Sequence, residues 1–107
     1  MPVFINAQIS VPDSLREALQ KAPNDSTRNQ VYSRLVSHYS FNNLDSTVYF
    51  TDKMLLILPK YHKNLAAAGA LNLKGASLTR LGQYASALQC FLQAFAIAED
   101  PKNENTN

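Results

Sequence analysis

Cysteine is nearly absent from this chain: Cys90 is the single one among 107 residues. That excludes an intrachain disulfide framework and any cysteine-based zinc site. Glycine, at three, and proline, at five, are too scarce for the dense turns of a β-sandwich. No run of about 18 apolar residues occurs, so no stretch has the length of a transmembrane helix. Charge of one sign is not concentrated either. Lys plus Arg is 10 and Asp plus Glu is 8, a formal net charge of +2. The richest basic neighbourhood is Lys60-Tyr61-His62-Lys63. A nucleic-acid arm or a polycationic membrane patch needs more positive charge in one place.

What is present is a composition that folds. The apolar fraction is 46% and the charged fraction 17%, too hydrophobic for a disordered chain. The length suits one small domain. The ends read differently from the middle. Residues 1–12 are expected to form an extended segment. Met1 to Gln8 has the short apolar patch of a secretory signal's tail, without its basic start or long apolar core. It reads either as an apolar start that packs on the fold or as the remnant of a trimmed signal. The first reading leaves the protein cytoplasmic; the second, with a signal removed before Gln8, makes it periplasmic. Residues 99–107 are polar and Asn-rich and read as a tail. They look like an inter-helix loop, as in a fragment of a longer chain.

Between the ends, apolar residues recur at helical spacing, which predicts an all-α chain with five amphipathic segments. Ser14 and Glu17 have capping-box spacing and open a short helix to about Ala22, with Leu15, Ala18 and Leu19 as its stripe. Asp25 or Ser26 caps a second helix over roughly 27–41, facing inward through Tyr32, Leu35, Val36 and Tyr39. Asp45 caps a third over about 46–58. Its apolar residues, Val48 to Leu58, cover most of its circumference, so it should be buried on more than one side. A fourth, about 61–81, is crowded with Ala66, Ala67, Ala68, Gly69, Ala70, Gly75, Ala76 and Ser77. Gly75 inside a helix costs about 1 kcal/mol relative to Ala, which calls for a packing reason. Gly82 stands where a left-handed C-cap belongs. A fifth helix follows, about 84–98, with Tyr84, Ala87, Leu88, Phe91, Leu92, Ala94, Phe95 and Ala98 at helical spacing.

Chemistry is hard to build from the remaining residues. His38 and His62 are far apart and share no helical face with a carboxylate at metal-ligand spacing. Cys90 has no basic residue within a helical turn to lower its pKa, so it reads as a structural thiol. Asp45 and Asp52 read as capping and surface residues. No nucleophile elbow and no phosphate-binding loop is present. The chain reads as a non-enzyme with neither cofactor nor metal. Helices four and five, joined at Gly82, form a helix-turn-helix-like unit. The fifth offers Gln83, Gln89 and Gln93 but no Lys or Arg for phosphates, which weakens a DNA-binding reading.

Helices two and three overlay on helices four and five at an offset of about 40, within the period of helical repeat proteins. Tyr32 falls on Leu71, Val36 on Gly75 and Tyr39 on Leu78. The second hairpin resembles a tetratricopeptide repeat through Leu71, Gly75, Leu78, Gly82-Gln83-Tyr84, Ala87, Phe91, Ala94 and Pro101. Lys74 departs from the pattern, which has Leu there, and two extra residues precede Pro101. The first hairpin matches more weakly, lacks both glycines and has Thr47 for the Ala. The likeness spans about residues 27–102.

The resemblance implies a short right-handed solenoid of two hairpins, 27–58 and 61–98, within a domain over 13–98. It implies a scaffold that binds a protein or peptide segment on the concave face made by the first helix of each hairpin. The groove positions carried over are Gln30, Ser33, Ser37 and Ser40, and Asn72, Ala76, Thr79 and Arg80. The paired Lys and Arg of carboxylate-clamp members are missing; Arg80 alone could hold one carboxylate or phosphate. The leading segment, 13–28, is also similar to the opening of repeat-type sensory regions in bacterial signalling proteins. Three expectations follow on packing. Phe91 is buried between hairpins with Tyr84 nearby. The chain beyond Ala98 covers nothing. Leu88, Leu92 and Phe95 form an open apolar stripe that joins two copies into a homodimer. An ordinary helical bundle, a small DNA-binding regulator and a structural oligomerisation domain are the competing readings.

Overall fold

A computed structural model describes residues 13–103, and the segments 1–12 and 104–107 discussed above lie outside the described residues. Among the described residues the protein is all-helical, with no strand. The helices are α1 (Asp13–Lys21), α2 (Asp25–Tyr39), α3 (Leu44–Ile57), α4 (Asn64–Arg80) and α5 (Tyr84–Glu99). Short 3-10 turns follow α3 (Leu58–Tyr61) and α5 (Pro101–Asn103).

The helix starts differ from the sequence expectation in an instructive way. Asn24 and Asn43, not Asp25 and Asp45, are the N-caps. Their side-chain carbonyls accept from the N–H groups of Thr27 at 2.9 Å and Ser46 at 3.0 Å. Both asparagines have the extended backbone a cap requires. The aspartates fall one or two residues inside, where a carboxylate meets the positive end of the helix dipole. Ser14 likewise lies within α1, which begins at Asp13. The fourth helix begins at Asn64 instead of about 61. The preceding 3-10 turn starts at Leu58 with Pro59 in its first positions, and His62 ends it in a left-handed conformation, φ 59°. Gly82 has the expected positive φ, 83°.

Each helix packs on the next along the chain: α1 on α2, α2 on α3, α3 on α4, and α4 on α5. The third helix is the centre of the stack, buried on two sides as its sequence requires. One side sends Phe50 among Val31, Leu35, Val36 and Tyr39 of α2, with Leu15, Ala18 and Leu19 of α1 closing the cluster. The Phe50 ring stacks with Tyr39 at 6.0 Å and Tyr32 at 6.1 Å between centroids. The other side sends Val48 and Leu55 toward Ala68, Leu71 and Leu78 of α4 and Ala87, Cys90 and Ala94 of α5. Between these faces lie Ser46, Thr47 and Thr51, fully buried. The Thr47 and Thr51 hydroxyls donate to the carbonyls of Asn43 and Val48, so these two threonines need no outside partner.

The core side of α5 is made of small residues. Ala87, Cys90 and Ala94 are buried, while Phe91 is 38% and Tyr84 68% exposed. This corrects the expectation that Phe91 is buried between hairpins. Small residues fill the core side of α5, and Phe91 lies at its margin, half-exposed over Gly75 of α4. The tail is corrected too. Residues after Ala98 fold back: Asn103 is buried, its amide donates to the Ile97 carbonyl at 2.9 Å, and it accepts from the Asn64 amide at 3.1 Å. The end of α5 is thereby tied to the start of α4.

Candidate functional site

On α2, Ser26, Gln30, Ser33 and Ser37 recur at three- and four-residue spacing, and all are exposed on one face. Ser40 lies past the helix end, half-buried, its hydroxyl donating to the Ser37 carbonyl at 3.4 Å. On α4, Asn72, Ala76, Thr79 and Arg80 are exposed. The Thr79 hydroxyl already donates to the Gly75 carbonyl at 2.9 Å, which leaves it only accepting capacity. Of the eight concave-face candidates, Gln30 lines a cavity.

That cavity, of about 370 Å³, is bounded by Ser26, Asn29 and Gln30 of α2, and by Ile57, Leu58, Tyr61 and Lys63 at the passage from α3 to α4. An ionic tie adjoins it through Tyr61. Asp25 accepts from Arg28 at 2.9 Å, from Lys60 at 2.9 Å and from the Tyr61 hydroxyl at 3.0 Å. The hydrogen bonds from Lys60 and then Tyr61 hold the Asp25 carboxyl below the usual carboxylate range, and the same contact raises Lys60. The tie pins the start of α2 to the α3–α4 turn. It also consumes Asp25, so Lys63 at the cavity has no carboxylate partner among the described residues. Lys63 precedes α4, whose N-terminus has no side-chain cap. Lys63, at the uncapped start of α4, thus brings a cation to an apolar-floored pocket. The sequence signal available for this site was the Lys60-Tyr61-His62-Lys63 cluster, but distances across 36 residues of chain decide which lysine is free.

A second, more open trough of about 570 Å³ runs over α4 between α3 and α5. Leu55, Leu56, Pro59, Leu71 and Ile97 give it an apolar lining. At its edge Lys74, the residue departing from the repeat pattern, pairs with Asp52 at 2.7 Å. The departure thus has a local reason, and Asp52 links two helices instead of standing free.

The signature positions divide by size. Leu71, Gly75, Leu78, Ala87 and Ala94 are buried, and Tyr84 and Phe91 are exposed. Leu88, Leu92 and Phe95 lie open at 58%, 58% and 63%. His38 meets the Tyr39 ring edge-on at 4.7 Å, and Cys90 is buried in the α4–α5 cluster. Among the described residues no three His, Cys, Asp or Glu side chains gather as metal ligands, and no helix is long and apolar enough to cross a membrane. Compared with family models, with curated proteins and with solved structures, the chain matches none.

Proposed function

We propose that the protein is a non-enzymatic interaction module of tetratricopeptide-like design that docks a peptide segment against α2 and the start of α4. The cavity at Gln30 carries this reading. It joins an apolar floor (Ile57, Leu58, Tyr61) to a polar rim (Ser26, Gln30) and an unpaired Lys63. Pockets of this make-up hold one apolar anchor and fix its orientation through a few polar contacts. The matching segment carries a Leu- or Phe-sized side chain next to an acidic residue. The anchor fills the cavity, and the carboxylate meets Lys63 and the free N–H groups of α4. The exposed small and polar side chains of Ser33, Ser37, Asn72 and Ala76 leave room for the remaining backbone of the segment.

Selection from a displayed peptide library, with amide shifts of the winners followed by NMR, tests this. Acidic–apolar peptides that shift Gln30, Tyr61 and Lys63, and that Lys63→Glu weakens at least tenfold, support it. Winners that bind equally well to Lys63→Glu, or that shift only α5, refute it.

A further inference from the structure

Helix α5 leaves a stripe of its own uncovered. Ala85, Leu88, Leu92, Phe95 and Glu99 are all exposed and follow one another at three, four, three and four residues, the spacing of a helix–helix seam. Leu88, Phe91, Leu92 and Phe95 together expose on the order of 400–500 Å² of apolar surface, the size at which a patch marks an interaction site. From Tyr84 to Ala98 there is no charged side chain. The occupant must therefore be apolar, elongated and uncharged along its contact, and α5 has these properties itself.

We propose that the α5 stripe pairs with α5 of a second copy in an antiparallel, two-fold arrangement centred near Cys90. The stripe is complementary to itself in that register. Leu88 meets Leu92 of the second copy, and Phe95 covers the other chain's Ala85, large against small. Glu99 then reaches the opposite N-terminal end of α5. That end has no side-chain cap and follows Arg80, an exposed cation without a carboxylate partner among the described residues. The two-fold axis repeats this opposite-charge contact at both ends. A stable interface buries about 800 Å² on each partner. The four large side chains supply more than half, and Tyr84, Ala85, Gln89 and Ala96 flank them with further exposed surface. The seam does not use the Gln30 cavity, so either proposal can fail without the other.

Sedimentation equilibrium of the whole chain between about 5 and 200 µM is the test. The expected mass is twice the 11.9 kDa of one chain. Leu92→Glu and Phe95→Glu should each return the mass to one chain, with the helical circular dichroism unchanged. Should either variant lose helix content, Leu92→Ser replaces it. Arg80→Glu and Glu99→Arg should each weaken the dimer at least fivefold, and together restore it. A monomer throughout the range overturns the proposal. So does a dimer indifferent to Leu92→Glu and Phe95→Glu, and a charge swap that restores nothing overturns the register.

Discussion

The ring of Phe91 occupies the space that a side chain at Gly75 would need. A Cβ added there would stand 2.7 Å from Phe91 Cε1 and 2.9 Å from Cζ, closer than real Cβ atoms come to carbon. The glycine in the interior of α4 thus has its packing reason, and the reason is one side chain. Gly75→Ala gains about 1 kcal/mol of helix propensity, while turning the ring away loses contacts worth about 1–3 kcal/mol. We expect Gly75→Ala to destabilise the protein by about 1 kcal/mol, and the same change in a Phe91→Ala background to stabilise it by about 1 kcal/mol. Urea denaturation of the four proteins checks it. Equal effects in both backgrounds would show that Phe91 is not what holds the position.

The other two glycines have opposite expectations. A Cβ at Gly69 meets nothing within 4 Å, and the residue lies inside α4. Gly69→Ala should therefore stabilise by about 1 kcal/mol. Gly82 also has open space around it, but its φ of 83° is left-handed. Gly82→Ala should cost about 1–2 kcal/mol. Thermal melts that move in the same direction for both would contradict this contrast.

Burial of Tyr39 has left its hydroxyl without a hydrogen-bond partner among the described residues, and burial also raises its pKa. The ring stacks with Phe50, so its packing depends on shape and not on the oxygen. Tyr39→Phe keeps the shape and removes a desolvated polar group, for an expected gain of about 1 kcal/mol. A loss of stability in chemical denaturation would reveal a partner for that oxygen.

Asn103 links the tail to both helices of the second hairpin through its contacts with Ile97 and Asn64. Replacing it by Ala leaves the Asn64 amide without that acceptor and the α5 end without that donor. Asn103→Ala should cost about 1–2 kcal/mol and speed hydrogen exchange at the end of α5. Unchanged exchange from Ile97 to Glu99 would place the tail's contribution elsewhere.

Asp25 has its pKa lowered in the folded state, so its stabilising contribution is complete above the unfolded pKa of about 4. The contribution disappears as pH falls through the lowered folded value. Lys60 is raised, so its share is present below an unfolded pKa of about 10.4 and lost as pH rises through the folded value. Stability of Asp25→Asn measured against wild type should show a gap that is constant near neutral pH and closes in acid. A gap that persists unchanged to about pH 2 would remove the ionic tie as its cause.

Sequence periodicity by itself determined the helical class, the central burial of α3, the left-handed turn at Gly82 and the need for a packing partner at Gly75. These follow from local chemistry: helical spacing of apolar residues, and the backbone freedom that glycine alone supplies at a positive φ. The caps were legible only to within a residue or two, because Asn, Asp and Ser are all competent and the backbone selects one. The tertiary structure decided which apolar residues on α5 go inside. Hydrophobicity alone points to Phe91 as the residue that goes between the hairpins. Close approach to α4 admits Ala87, Cys90 and Ala94 and leaves the larger side chains at the surface. It also decided that Lys63, among four neighbouring polar residues, is the cation left free, because Asp25 from another helix captures Lys60 and Tyr61. Such choices depend on distances between segments remote in sequence, and residue spacing along the chain carries no information about them.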